Sequence, residues 1–377
     1  MNQLDNNPFE CIHTPWVKSL NNAYLIDLPH ISIPDKYKNL SGFKLLSAKS
    51  VQDEFNHILS FNATRYNSLL IINHIFDHGN PDEILQVTNL ANTYGQKLGY
   101  FFVMLIQGDE GNRNARRGDF KWSAEQWCFW STIRNVALAG GVIAGRFGEI
   151  AINEANRLLQ SLNINLQLHR FIYYRHISLI GLSRIINSRH NPILLFDFGK
   201  TSVEIGCAFY KDNYVNAIQI IANEPSHCDS IKSKNVSKQH LRDFANHIVD
   251  IIEKYWHLTL NNTPNLSPVI GLSMGCTIVQ GNLSLQFTGI YGKLRKIIQN
   301  FPYWLRIELY KRNISICHIY VHNDGDCAAY ALNPDEYDAV VTLGTALGLG
   351  FTKPKNNGFF NLAETFQLNE YNTNLGE

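Results

Sequence analysis

Residues 193–206 read Ile-Leu-Leu-Phe-Asp-Phe-Gly-Lys-Thr-Ser-Val-Glu-Ile-Gly. Ile193 to Phe196 is a short apolar run of the kind that makes a buried strand. Asp197 interrupts it, and Gly199-Lys200-Thr201 form a tight polar turn before a second apolar run from Val203 to Tyr210. The predicted hairpin offers backbone N–H groups, a hydroxyl, an ammonium and a carboxylate within five residues. Phosphate binding needs that mixture: amides and a cation for the oxygens, and an acid for a metal ion or its waters. A segment this short also reads as an ordinary surface turn, so the rest of the chain has to decide.

Working downstream, strands are expected at 203–210 and 213–221, followed by a polar loop at 224–237. A helix comes next, with Leu241, Phe244, Ile248, Ile251, Ile252 and Tyr255 on one face. Ser267 to Gly275 is a short strand ending in a turn, and 285–313 a loop and helix. A strand over 316–321 runs into His322-Asn-Asp-Gly-Asp-Cys-Ala-Ala. Polar residues at a strand end, just before a small-residue helix, are where an open α/β sheet places its chemistry. Asn323 and Asp324 fit an orienting amide and a base, and either also fits a helix cap. Ala339–Leu343 is a further strand, ending in a glycine-rich turn that opens with Gly344-Thr345. The tail 352–377 reads as loop, with Glu364 its most notable acid.

Upstream, Asn135–Gly145 reads as a buried strand ending in Gly140-Gly141, then a turn and a helix at 148–162. Glycines there let a ligand approach the backbone beside a helix N-terminus, or allow close packing of helix on strand. A strand at 166–171 and a helix at 178–187 complete a β-α-β-α unit. Residues 1–43 read as an irregular arm with a short strand at 23–26. Asn80-Pro81-x-Glu83 and Ser123-x-x-Gln126 are helix starts of the capping-box kind. The stripe Trp127, Trp130, Ile133 is assigned to core.

The 377 residues are 45% hydrophobic and 17% charged, which fits two globular domains. With 33 basic against 32 acidic residues there is no electrostatic footprint for nucleic acid or for a membrane surface. The densest basic cluster, Arg113, Arg116, Arg117 and Lys121, is read as a solvated loop. Seven scattered cysteines without a Cys-x-x-Cys pair point to free thiols in a reducing compartment. No leader-like segment or bilayer-length apolar run is visible, so the expected setting is cytoplasmic.

Asp197-Phe-Gly-Lys-Thr201 resembles the first phosphate loop of the superfamily of sugar kinases, actin and heat-shock ATPases. With Asn323-Asp324, Gly344-Thr345 and Ala139-Gly140-Gly141, the set resembles the ROK family of sugar kinases. Residues 137–183 look like that family's C-terminal adenosine-binding region, and 193–350 like its N-terminal part. That order is reversed relative to the family, and a circular permutation accounts for it; an unrelated unit at 137–183 is the alternative. The resemblance implies an α/β, two-lobed actin-like ATPase (ribonuclease H-like) fold. Its expected parts are 1–188, resembling the C-terminal lobe, 189–335, resembling the N-terminal lobe, and 336–377, returning to the first lobe.

Carried over by residue, Asp324 would be the general base and Asn323 would orient the sugar hydroxyl. Asp197 would position hydrated Mg2+, and Gly199, Lys200, Thr201, Gly344 and Thr345 would hold the phosphates of ATP. Gly140 and Gly141 would lie against adenosine, and Glu364 would match a sugar-binding glutamate. The family's zinc-binding cysteine cluster is missing, Lys200 and Ala346 stand where glycines are usual, and Ser273-Met274 replace a proline-containing turn. The implied activity is ATP-dependent phosphoryl transfer to a small-molecule sugar, and a homodimer is compatible with it. A non-catalytic sugar- or nucleotide-binding protein, an ATP hydrolase, and a kinase for a non-sugar alcohol are the alternatives.

Overall fold

The computed structural model describes residues 7–10, 18–59, 68–116, 118–186, 191–233, 235–286, 289–353 and 358–370. Cys11, Arg117 and the expected linker residues 188–190 lie outside them. The chain is mixed α/β and divides into two compact units, each with its own apolar core. Unit 1 is Met1–His176 with Leu332–Pro354, and unit 2 is Ile177–Ala331 with Lys355–Glu377.

Unit 1 opens with a two-residue strand pair, β1 (Tyr24–Leu25) and β2 (Leu40–Ser41), then α1 (Gly42–Leu46), α2 (Ala48–Leu59) and α3 (Ser68–His78). Helix α4 (Pro81–Gln107) starts at the expected capping box: Asn80 accepts from the Glu83 amide, and the Glu83 carboxylate accepts from the Asn80 amide. It stops at Gly108, whose φ of 57° is left-handed. From Phe101 to Leu105 every residue of α4 is buried, so this turn is apolar all round. The short α5 (Glu110–Ala115) and α6 (Ala124–Thr132) follow, α6 with the Ser123/Gln126 box intact. Trp127 and Trp130 are core, packed against Trp122.

The basic loop before α6 departs from expectation. Arg116 is 1% exposed, its guanidinium 3.9 Å from the centre of the Trp122 ring and bonded to the carbonyls of Phe120 and Ser19. A neighbouring indole face and two carbonyls replace its water, which a charge count along the sequence does not register.

The unit 1 sheet comprises β3 (Asn135–Ala139), β4 (Gln167–Arg170), β12 (Ala339–Leu343) and β13 (Leu347–Phe351), with α7 (Gly145–Ser161) between β3 and β4. Its order is β13-β12-β3-β4, the last three parallel and β13 antiparallel to β12.

In unit 2, α8 (Ile177–Ile185) precedes β5 (Ile193–Phe198), β6 (Ser202–Lys211) and β7 (Tyr214–Pro225). Helix α9 (Lys238–Asn262) then leads to β8 (Val269–Met274), the small pair β9 (Ile278–Val279) and β10 (Asn282–Leu283), and α10 (Phe301–Lys311). β11 (His318–Asn323), α11 (Asp324–Tyr330) and β14 (Asn361–Asn369) complete it. The sheet order is β11-β8-β5-β6-β7-β14. β11, β8 and β5 are parallel, and β6 is antiparallel to both its neighbours. The expected apolar face of α9 is buried in one core with Phe196, Phe198 and Leu272. Helices α8 and α11 pack so closely that a methyl on Gly181 would lie 1.6 Å from the Cys327 carbonyl oxygen.

The tail is not all loop. Asn361–Asn369 is a strand parallel to β7 at the sheet edge. Its apolar residues, Leu362, Ala363, Phe366 and Leu368, are spread among polar ones, and none is fully buried at this sheet edge. The unit boundary also falls before α8 rather than after it, since that helix packs on α11 and β5.

The two sheets repeat one arrangement: three parallel strands, then one antiparallel strand joined to the third by a tight turn. In unit 2 the β5–β6 hairpin comes before β8 and β11 in the chain. In unit 1 β3 and β4 come first and the β12–β13 hairpin last. Six free cysteines are described, with Cys207, Cys228, Cys276 and Cys327 buried. No helix among the described residues is long and apolar enough to cross a membrane.

Candidate functional site

In unit 2 the C-terminal ends of β5, β8 and β11 lie side by side, with Phe198 opposite Met274 and Met274 opposite Asn323. Three segments that are far apart in sequence therefore meet at one sheet edge: the 199–201 turn, the 274–276 turn and the start of α11. The Gly275 amide donates to the Phe198 carbonyl, and the Asn323 Nδ2 donates to the Cys276 carbonyl at 2.8 Å. A methyl on Gly275 would sit 3.6 Å from both Asp324 Oδ2 and the Phe198 carbonyl oxygen. The 274–276 turn therefore passes close beside Asp324.

Asn323 caps α11. Its Oδ1 accepts from the amides of Gly325 and Asp326, and its Nδ2 also donates to Asp324 Oδ1. The Gly325 amide donates to the same Asp324 oxygen at 2.8 Å. Asn323 therefore orients Asp324 directly, and its own polar atoms are engaged within the protein.

Asp197 sits in a polar row across the sheet. Its register partners are Glu204 on β6 and Ser273 on β8, and Ser273 in turn pairs with His322 on β11. The Ser273 hydroxyl donates to Asp197 Oδ1 at 2.6 Å. Burial pushes the Asp197 carboxyl up to about 7; the Ser273 and Ser178 hydroxyls work against that, and the charges of Asp324 and Glu204 reinforce it. Burial likewise holds the His322 imidazole below its ordinary range.

The 199–201 turn is held through its carbonyls. Tyr291 donates its hydroxyl to the Gly199 carbonyl at 2.7 Å, and Ser226 donates its hydroxyl to the Lys200 carbonyl at 2.7 Å. The Ser226 amide donates to the Thr201 carbonyl. In a trans peptide the N–H points opposite to the C=O of the same unit. Tying down the Gly199 and Lys200 carbonyls therefore aims the Lys200 and Thr201 amides away from Tyr291 and Ser226. The shape of the turn is thus set from its carbonyl side.

Unit 1 brings the other predicted residues together at the matching sheet edge. Thr342 on β12 pairs with Ala139 on β3, so Gly140 lies beside Leu343 and the Gly344 turn. Gly140 has a φ of 95°, and a methyl there would lie 2.4 Å from the Leu343 carbonyl oxygen. Close backbone packing requires that glycine. Gly141 differs, because a methyl built on it meets nothing within 4 Å. The Gly344 carbonyl accepts from the Ala48 amide, and Asn21 clamps Leu347 through both its N–H and its carbonyl. At the start of α7, Asn73 Oδ1 accepts from the Phe147 amide. That amide is satisfied by protein.

Glu364 is not with the others. It lies exposed on β14, at the opposite edge of the unit 2 sheet from Asn323–Asp324. Five strand spacings of about 4.8 Å put roughly 24 Å between the two edges. Ser178, Glu204, Ser226, Ser273 and Tyr291 join the site from outside the expected set. Ser273 is the most legible of them, as a polar residue inside an apolar strand. No known protein family matches the chain, and no curated protein matches it.

Proposed function

We propose that the chain is an ATP-dependent phosphotransferase that moves the terminal phosphoryl group of ATP to a hydroxyl of a sugar or sugar-like molecule. The observation that carries this reading is the meeting of Asp324, Asp197 and the carbonyl-tied 199–201 turn at one sheet edge. Asp324 accepts the proton of the acceptor hydroxyl as its oxygen attacks the γ-phosphorus, and the bond from that phosphorus to the β–γ bridging oxygen breaks. The Lys200 and Thr201 amides and the Lys200 ammonium receive phosphate oxygens. Asn323 and the Gly325 amide fix the base in place through Asp324 Oδ1.

No group of three His, Cys, Asp or Glu among the described residues is placed to hold a metal directly. Mg2+ suits such a site, because it keeps several of its waters and needs only one or two carboxylates. Asp197 would hold it with Asp324 nearby, and when bound it would neutralise charge on the phosphates.

The scaffold we infer is the two-lobed actin-like ATPase fold in circularly permuted, ROK-like order. The shared strand pattern supports it: one sheet begins with its hairpin and the other ends with it, as expected if like halves were cut at a new place. Gly141 and the Gly344-Thr345 turn belong on the nucleotide in this reading, and a cytoplasmic setting goes with it. A binding protein without turnover is the second reading, favoured by the engagement of both Asn323 side-chain groups within the protein.

The test is ADP release with Mg2+ across hexoses, amino sugars and N-acetylated sugars, with calorimetric titration of ATP alongside. Sugar-dependent release is expected. ATP binding without release under any acceptor would favour the second reading, and absence of ATP binding would sink the phosphotransferase and leave only a sugar-binding protein.

A further inference from the structure

A groove of about 440 Å³ opens on unit 2 between α9, the segment before α10, and α10 itself, and none of the residues assigned above lines it. Lys238, Arg242 and Asn246 follow one another at helical spacing along α9 and line one wall. Lys296 and Ile298 line the other, with Trp304 and Glu308 of α10 closing it. The buried Ala245 and Ile298 and the partly buried Trp304 supply an apolar floor, while the three cations are exposed at the rim. Phe301 backs Trp304, with ring centres 5.9 Å apart.

The charge here is out of proportion to the chain. The whole sequence balances to +1, yet three cations converge on one small groove. Its one acid, Glu308, is held by Lys311 at 2.7 Å. Acids elsewhere on α9 are engaged as well: Asp243 accepts from Gln239, and Asp250 and Glu253 pair with Arg312. Among the described residues no ion pair or hydrogen bond engages Lys238, Arg242 or Lys296. Like charges held together over an apolar floor repel, and an anion relieves that repulsion.

We infer that this groove binds a small organic phosphate carrying a flat ring, with the phosphate on the cations and the ring on Trp304. A volume of this size matches a single small molecule. A guanidinium pairs with phosphate in a fixed fork, and an indole face accepts an aromatic ring or a cation. The rim cations select the anion and the floor selects the ring, so neither part alone should bind well.

The test uses the full chain and 1-naphthyl phosphate, read by quenching of tryptophan emission and by calorimetry, with inorganic pyrophosphate and 1-naphthol as half-probes. Arg242→Gln combined with Lys296→Gln should weaken naphthyl phosphate at least tenfold while the melting temperature stays unchanged, since both side chains are exposed. Trp304→Leu should weaken naphthyl phosphate severalfold and leave pyrophosphate unaffected. Absence of binding, unchanged affinity in the double variant, or 1-naphthol binding as tightly as its phosphate would each overturn the inference.

Discussion

The matching edges of the two sheets differ in one respect: charge. In unit 2 the residue two before the hairpin glycine is Asp197, and its cross-strand partner is Glu204. In unit 1 the corresponding residue is Thr342, and its partner is Gly348, so close that a methyl there would lie 2.3 Å from the threonine hydroxyl. One turn is flanked by acids and hydroxyls and followed across the sheet by Asp324. The other is flanked by glycine, backbone and the hydroxyl of Thr342, with no acid. The same topology thus carries two kinds of surface, one lined by carboxylates and hydroxyls and one lined by backbone, glycine and threonine. In the proposed reaction the first is the place of chemistry and the second a place of nucleotide contact.

The sharpest way to break that contrast is Asp324→Asn. Loss of a positioned base typically costs about 10²- to 10⁴-fold in rate, and here nucleotide affinity should stay nearly unchanged. Steady-state rates with parallel ATP titration check it; equal loss of rate and affinity would make Asp324 structural.

Asp197→Asn sharpens the contrast through pH. The folded-state pKa of about 7 lies above the ordinary carboxylate value of 3.8, so the folded chain holds this proton more tightly than the unfolded one. Stability from that proton is complete below about pH 4, declines as pH rises towards 7, and is level above it. Relative to the wild type, the Asn variant should therefore gain roughly 2–4 kcal/mol between pH 4 and pH 8. Urea unfolding across that range reads the difference, and a parallel pair of curves would refute it. Mg2+ binding below pH 7 should also release a proton, visible as a buffer-dependent heat.

On the uncharged side, Gly140→Ala should destabilise the fold by about 1–3 kcal/mol through backbone strain, whereas Gly141→Ala should leave melting unchanged. Tyr291→Phe is the smallest of these changes. It removes one donor from the 199–201 turn, about 0.5–1.5 kcal/mol, and should appear as a raised KM for ATP with kcat little altered.

How much of this was legible in the sequence depends on how local the signal is. The β5–β6 turn, both capping boxes and the Asn323-Asp324 helix start are each set by a few adjacent residues, and all appear where the residues place them. Arg116 was misjudged because the Trp122 ring that covers it is a tertiary neighbour. β14 is not evident because Glu364 and a register shift between Leu362 and Gln367 interrupt the alternation of Leu362, Phe366 and Leu368. Ser226 and Tyr291 are ordinary residues until the fold brings their hydroxyls to carbonyls 26 and 92 positions away. Glu364 shows the reverse: an acid in a suggestive segment, carried by the edge strand farthest from β11.

The most direct measurement follows the phosphorus. ATP labelled with 32P at the γ position is incubated with the protein, Mg2+ and a sugar mixture, and the products are separated into organic phosphate esters and inorganic phosphate. The account predicts label in a sugar ester, and none there with Asp324→Asn. Label appearing only in inorganic phosphate, whatever sugar is present, would contradict it.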